Sequence, residues 1–483
     1  MNFKVISRNV GFALLTSAFF MFLSILVSVA GGNDSALAAL LISFVITFII
    51  GVFPFIFVRK AQNITLQDGY MIIFLSWTLS FVVGMLPYLL WGGPFTVVNA
   101  WFESVSGYTT TGSTILENVE ALPPSLLFWR SSTHFIGGLG VVVFLLLIIP
   151  SSSPLRRRLA NMELSALTRD AFMAKTNKTV YIFTYIYIGL ALAAFICYIL
   201  AGMSPFDAIN HAFSVVSTGG FSTRNLSIGY YDSPAVNIVT IVFMMLCSIH
   251  FAIIYMVIAT RSLRPLNNSV LKFYVGYVIV AALIMTVNFH SSGEGNGWAD
   301  SAMKGLFMTA TFSSTTGFSI CDTGAWTSFP HSLMMVVALF CGMAGSTSGG
   351  MKVDRLVVLL KAFARQVRNT LHPSSVAEVR MGHHVVKDED IHPHILFIAI
   401  YVLLLLLSVL LVMLFCGGDA NALDGVVSSM GNVGLSFGEL SSHYNGEPMA
   451  AKLIYTLDML LGRIEIYPVF AVLYLVFGRS NRK

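Results

Sequence analysis

Four stretches, SGYTTTGSTI (106–115), SVVSTGGFST (214–223), TFSSTTGFSI (311–320) and SSMGNVGLSF (428–437), align without a gap. Each places a glycine at the same point: Gly112, Gly220, Gly317 and Gly434. Ser106, Ser214, Thr311 and Ser428 stand six residues ahead of it. The stretches recur at intervals of roughly 100 residues, as an internally repeated architecture requires. Before each glycine lies a half-polar segment the length of a half-helix, near 98–109, 205–217, 301–314 and 421–432. Any one such loop reads as an ordinary turn or a close helix contact. Four in register need a common explanation.

A helix needs about 20 mostly apolar residues to cross the hydrocarbon core. Ten segments qualify, near 10–30, 36–58, 69–91, 128–150, 179–202, 234–260, 271–290, 331–360, 393–416 and 451–477. The half-polar segments follow the third, fifth, seventh and ninth of these. The repeating unit is span, half-helix, glycine loop, span. The predicted fold is an all-α polytopic membrane protein, with four membrane-pore-membrane repeats around a central ion pore and two extra N-terminal transmembrane helices. Predicted boundaries are 1–60 for the two leading helices, then 61–160, 161–265, 266–370 and 371–483 for the repeats.

Composition agrees. Of 483 residues 56% are hydrophobic and 11% charged, against about 25% charged in soluble domains. No polar stretch is long enough for an appended catalytic or nucleotide-binding domain. The five cysteines have neither a disulfide framework nor zinc spacing and read as small buried hydrophobes. No cleavable leader is expected.

Lys and Arg set orientation, because they collect in cytoplasmic loops. With both termini cytoplasmic, only Arg130, Arg224, Lys304, Lys452 and Arg463 of the 28 basic residues fall outside cytoplasmic segments. All four glycine loops then lie on the outer side, with Glu103, Asp207, Asp300, Asp322, Asp419, Asp424 and Glu439.

Non-helical backbone at membrane depth survives only where protein buries it or it lines a wet cavity. Four similar loops satisfy this by converging on one axis. A ring of carbonyls there can replace a cation's lost hydration. Glycine permits the unusual φ this demands. Half-helix C-termini, the negative dipole ends, then face the axis and favour a cation.

The arrangement resembles the Trk/Ktr/HKT superfamily of K⁺ transporters, most closely its TrkH-type pore-forming subunits. The resemblance covers nearly the whole chain. It rests on the two leading spans, the loops TTTGST, STGGFST, STTGFS and GNVGLSFG, the run AGSTSGG (344–350) and LGRIEIYP (461–468). It implies a K⁺ selectivity filter at Thr110, Thr111, Gly112, Thr218, Gly219, Gly220, Thr315, Thr316, Gly317, Asn432, Val433 and Gly434. The transported K⁺ would sit at Thr111, Gly112, Gly219, Gly220, Thr316, Gly317, Val433 and Gly434. It implies an intramembrane gate at Gly342, Gly345, Ser346, Thr347, Gly349 and Gly350, with Arg463 facing the pore beside it. A homodimer with one pore per subunit follows, in a prokaryotic inner membrane, gated by a cytoplasmic TrkA-type RCK nucleotide-binding subunit. No organic cofactor and no nucleic acid are implied. Some relatives carry serine at the first filter position and favour Na⁺; glycine at all four positions favours K⁺. Na⁺- or H⁺-coupled symport and Na⁺-permeable transport stay open as alternatives.

The residues themselves weigh the same way. The glycines of 342–350 would destabilise a spanning helix by roughly 0.5–1 kcal/mol each relative to alanine, so the eighth span should break there. A phosphate-binding GxxxxGK[ST] does not fit, since Met351 follows Gly350. Arg463 lies mid-span, where a charge signals function or an ion pair with Asp458 or Glu465. His134 and His250 read as packing residues. His372, His383, His384, His392 and His394 share a cytoplasmic loop without metal-site spacing. The basic segments 154–178 and 352–392 suit docking of a regulator. An organic-solute carrier would need inverted repeats, and an enzyme a paired nucleophile and base. Neither pattern occurs.

Overall fold

Long apolar runs can satisfy their backbone groups in lipid only as helices. In a computed structural model of the chain, residues 2–58, 65–148, 176–373, 378–381, 384–386, 388–416 and 421–477 are described. The leading helices α1 (Phe3–Ala30) and α2 (Leu37–Phe57) pack on each other. The first repeat holds α3 (Leu66–Gly84), α4 (Leu86–Trp91), the half-helix α5 (Val97–Tyr108) and α6 (Pro124–Ile148). The second holds α7 (Thr176–Leu200), the half-helix α8 (Pro205–Ser217), α9 (Pro234–Cys247) and α10 (Phe251–Thr260). The third holds α11 (Ser269–Ser292), the half-helix α12 (Trp298–Ser314), α13 (Ser328–Phe340) and α14 (Val353–Leu371). The fourth holds α15 (Asp388–Phe415), the half-helix α16 (Ala422–Gly431), α17 (Met449–Ile464) and α18 (Ile466–Phe477). Between α14 and α15 a small antiparallel hairpin joins β1 (Val379–Met381) to β2 (His384–Val386).

Local chemistry sets the half-helix starts. Thr96 caps α5 by accepting from the Asn99 amide, and Ser204 caps α8 from the Asp207 amide with Pro205 at the first helical position. The half-helices are buried. The outer faces of the spans are apolar: Leu403, Leu410 and Leu414 of α15 are exposed, as lipid-facing side chains should be.

Two spans expected to be continuous are not, and the eighth breaks as its glycines predict. The sixth bends by 98° between α9 and α10. There His250 caps α10 through Nδ1, and the Phe251 amide donates to the Gly345 carbonyl rather than up the helix. The tenth bends by 107° between α17 and α18. Its hinge is Glu465, at φ 70°. Pro468 then falls in the first turn of α18, where its missing N–H costs nothing; within a continuous helix it would break a bond. The eighth, expected over 331–360, stops at Phe340, and its second half is the amphipathic, charged helix α14. No disulfide joins the cysteines among the described residues; Cys247 and Cys341 are buried as expected, while Cys197, Cys321 and Cys416 are only half-buried.

The half-helices press close to their neighbours. A Cβ on Gly137 of α6 would lie 1.8 Å from the Tyr108 carbonyl oxygen of α5. Around Gly189 of α7 there is open space. Gly137→Ala should therefore destabilise the purified protein by at least the roughly 1–3 kcal/mol of overpacking. Gly189→Ala should be neutral or raise stability by roughly 0.5–1 kcal/mol. Thermal unfolding of the two variants in detergent checks the contrast.

Candidate functional site

Each half-helix ends in the same backbone motif. The residue two before the repeat glycine is left-handed: Thr110 (φ 54°), Thr218 (56°), Thr315 (59°) and Asn432 (53°). The glycines follow at φ 89°, 83°, 77° and 84° for Gly112, Gly220, Gly317 and Gly434. Between them, the amides of Thr111, Gly219, Thr316 and Val433 donate back to the carbonyls of Ser106, Ser214, Thr311 and Ser428. This is a Schellman-type close, which satisfies the last orphan carbonyls of a helix.

The four loops form one closed cycle. An ideal Cβ on Gly112 would sit 2.1 Å from the Gly219 carbonyl oxygen, and one on Gly220 2.2 Å from that of Thr316. On Gly317 it would sit 2.2 Å from the Val433 oxygen, and on Gly434 2.0 Å from that of Thr111. Each glycine thus receives the carbonyl of the next repeat, and the fourth returns to the first. Here glycine is required twice over, by φ and by space.

A second tier closes in the same order. The carbonyls two residues after the glycines each accept a bond from the preceding repeat. Ser222 accepts from Arg130 (3.3 Å), Ser319 from the Gly229 amide (3.0 Å), Ser436 from the Thr323 hydroxyl (2.8 Å), and Thr114 from the Tyr444 amide (2.8 Å). In the first repeat a buried ion pair anchors this tier. Arg130 Nε meets Glu103 Oε1 at 2.8 Å, with side chains 2% and 0% exposed. Glu103 also accepts from the Thr114 hydroxyl and the Ile115 amide, and the Arg130 guanidinium lies over Phe221 at 3.9 Å.

Beneath the cycle runs the loop 341–352. Cys341, Gly345, Gly350 and Lys352 all take positive φ, and the loop is buried apart from partial exposure at Gly345. It satisfies the broken end of α9: the Met343 amide donates to Ser248 O (2.9 Å) and the Thr347 amide to Cys247 O (3.3 Å). Its tip touches three half-helix ends. The Thr347 hydroxyl donates to Val216 O (3.0 Å), and the Thr218 hydroxyl to Thr347 O (2.9 Å). The Gly349 amide donates to the Thr315 hydroxyl (2.8 Å). A Cβ on Gly349 would meet Asn432 at 2.5 Å. The segment is thus hydrogen-bonded to two of the four converging helix ends and packed against a third. Arg463, 4% exposed, donates from Nη1 to Thr347 O.

All twelve residues expected at the ring are therefore in the four loops, and the loop residues Gly342, Gly345, Ser346, Thr347, Gly349 and Gly350 lie beneath them. Of the two roles open to Arg463, the ion pair with Asp458 or Glu465 does not form among the described residues. Glu465 instead pairs with Arg355 (2.8 Å), and Asp458 accepts from Ser408 (2.7 Å). Glu465 is turned away by the bend that follows it. His134 stacks on Phe221 (4.0 Å) and packs behind Gly219, while His250 is a helix cap. His383 and the segment 154–175 lie outside the described residues, among which no three His, Cys, Asp or Glu gather as a metal site needs. The Glu103–Arg130 pair was missed, although Arg130 stood out as a basic residue on the wrong side.

Fold and site together define a multi-pass membrane protein of four membrane-pore-membrane repeats. A family model described as TrkH, cation transport protein, matches residues 36–476. The chain belongs to the TrkH family. It is 30% identical to the Trk system potassium uptake protein TrkH of Vibrio parahaemolyticus, over 99% of this chain and 100% of that one. It is 31% identical to the protein of the same name from Halomonas elongata, again over 99% and 100%. The crystal structure of the potassium transporter TrkH from Vibrio parahaemolyticus superposes with TM-score 0.88 at 28% identity, covering 100% of both chains.

Removing one partner of a buried pair strands the other charge, at about 3–5 kcal/mol, while removing both is far milder. Arg130→Met should therefore lower the unfolding midpoint strongly, and the double change Glu103→Gln/Arg130→Met should recover much of it. A double-mutant thermal-unfolding series checks this.

Proposed function

We propose that this protein takes up K⁺ across the cell membrane through the four-loop cycle. The observation that carries the reading is the closed ring of Thr111, Gly219, Thr316 and Val433 carbonyls, each fitted against a neighbouring repeat's glycine. Four carbonyls in one tier, at the negative ends of four half-helices, form an environment that replaces a monovalent cation's hydration shell. The Ser and Thr hydroxyls around it are neutral, so no fixed charge traps the ion. Relatives named potassium uptake proteins over their whole length support the choice of K⁺. The loop 341–352 is the gate, held by Arg463. Transport energy is the membrane potential, about 2.3 kcal/mol per charge per 100 mV.

The remaining parts follow from the same reading. Both termini and the basic segments are cytoplasmic, so the cycle opens outward and the gate lies inward. The repeat boundaries at 61, 161, 266 and 371 separate four pore units. The protein works as a homodimer in a prokaryotic inner membrane. A cytoplasmic nucleotide-binding subunit of the TrkA type releases the gate from the inside, where α14 and the β1–β2 hairpin lie.

The test is uptake of radioactive rubidium into liposomes holding the purified protein, with K⁺, Na⁺ and Li⁺ as competitors. K⁺ should block uptake and Na⁺ should do so weakly. Gly112→Ser should relax that preference, because a side chain there displaces the Gly219 carbonyl. Deleting 345–350 should raise uptake in the absence of any regulator. A folded deletion variant that passes no cation would overturn the reading.

A further inference from the structure

The Schellman closes of the half-helices require a left-handed residue, and glycine is the residue that adopts φ near +55° without strain. The chain places threonine there three times and asparagine once: Thr110, Thr218, Thr315 and Asn432. A β-branched residue with positive φ is a true outlier, and such strain clusters where a side chain has a task. In three of the four loops that task is visible. Thr218 donates to Thr347 O at 2.9 Å, Thr315 accepts from the Gly349 amide at 2.8 Å, and Asn432 packs against Gly349. Asn432 also donates from Nδ2 to the Thr111 hydroxyl and to Met459 O, both at 2.9 Å. Thr110 has no hydrogen-bond partner for its buried hydroxyl among the described residues.

Resting on the K⁺-pore reading, we propose that gate and filter are one mechanical unit: Thr218, Thr315 and Asn432 hold the gate loop to the filter's own helix caps. Each left-handed residue immediately precedes a ring residue, so its backbone angles set the direction in which that ring residue's carbonyl leaves the cap. Thr218 fixes the orientation of the Gly219 carbonyl, Thr315 that of Thr316, and Asn432 that of Val433. Releasing the loop therefore loosens two of the four ring carbonyls at once, those of Gly219 and Thr316, while Asn432 loses only its packing on Gly349 and stays bonded to Thr111 and Met459. Ion preference then depends on the state of the gate. Thr347 is the shared acceptor, receiving Thr218 and Arg463 on one carbonyl. These are positioning residues for the ring.

The experiment compares the full-length protein with Thr218→Val/Thr315→Val and with Thr218→Ser/Thr315→Ser in the rubidium-uptake liposomes, without a cytoplasmic partner. Valine keeps the shape and removes the hydroxyl; serine keeps the hydroxyl. Each lost bond should favour the open loop roughly fivefold, the scale of one net hydrogen bond. The valine pair should thus raise uptake by up to about 25-fold, on that scale, and narrow the K⁺ over Na⁺ preference. The serine pair should restore both. Raised uptake with unchanged preference would overturn the coupling, as would unchanged uptake. Uptake lost with valine and regained with serine would also overturn it, since the hydroxyls would then serve conduction alone. If the 345–350 deletion passes no cation, the pore reading itself fails; if it conducts and the valine pair does not respond, only this inference fails.

Discussion

Everything in this molecule depends on how closely a carbonyl oxygen from one repeat approaches the α-carbon of the next. At Gly112, Gly220, Gly317 and Gly434 a Cβ would fall 2.0–2.2 Å from that oxygen. A side chain there would push that oxygen away, so the ring keeps this geometry only with glycine at all four points. The rest of the fold brings the four α-carbons there. The half-helices deliver the loops, the Schellman closes turn the chain, and the second tier, from Arg130 to Tyr444, locks neighbours in the same cyclic order. The Glu103–Arg130 pair stands in this tier. It is costly to bury but able to fix one geometry.

Much of this was legible in the sequence because it repeats. Gly112 alone says little. Four glycines with a hydroxyl residue six places upstream specify a helix end, a turn and a close approach together. The half-helix limits read from sequence fall within a few residues of α5, α8, α12 and α16. The cause is physical: the motif is local, and local hydrogen bonds leave local patterns. The glycines of 342–350 likewise announced a break, and the structure breaks α13 from α14 there.

The bends at Ser248–His250 and Glu465 were not legible, because the bonds that make them are long-range. Nothing around Phe251 says that its amide will meet Gly345, almost a hundred residues away. Nor does LGRIEIYP say that Glu465 will turn from Arg463 toward Arg355. Apolar content carries the eye straight through both hinges, since lipid exposure sets hydropathy and hydropathy ignores direction. The one local sign was Pro468, which would cost a backbone hydrogen bond in a helix interior. Buried polar partners such as Thr218 and Thr347 stayed hidden for the same reason.

The two kinds of information meet at the helix caps. A glycine at 218, 315 or 432 would make the same turn with less strain, by roughly 1 kcal/mol each. At 218 or 315 it would also leave the loop beneath with no hydroxyl to bond, and at 432 it would remove the amide that donates to Thr111 and Met459. The chain instead accepts strained caps whose side chains reach the loop, and keeps glycine for the next turn, where space forbids anything else. The caps serve two structures, and the ring glycines serve one. A substitution at a ring glycine therefore acts by displacing a neighbour's carbonyl, and one at a cap by releasing the loop. These effects reach the same ring from opposite sides.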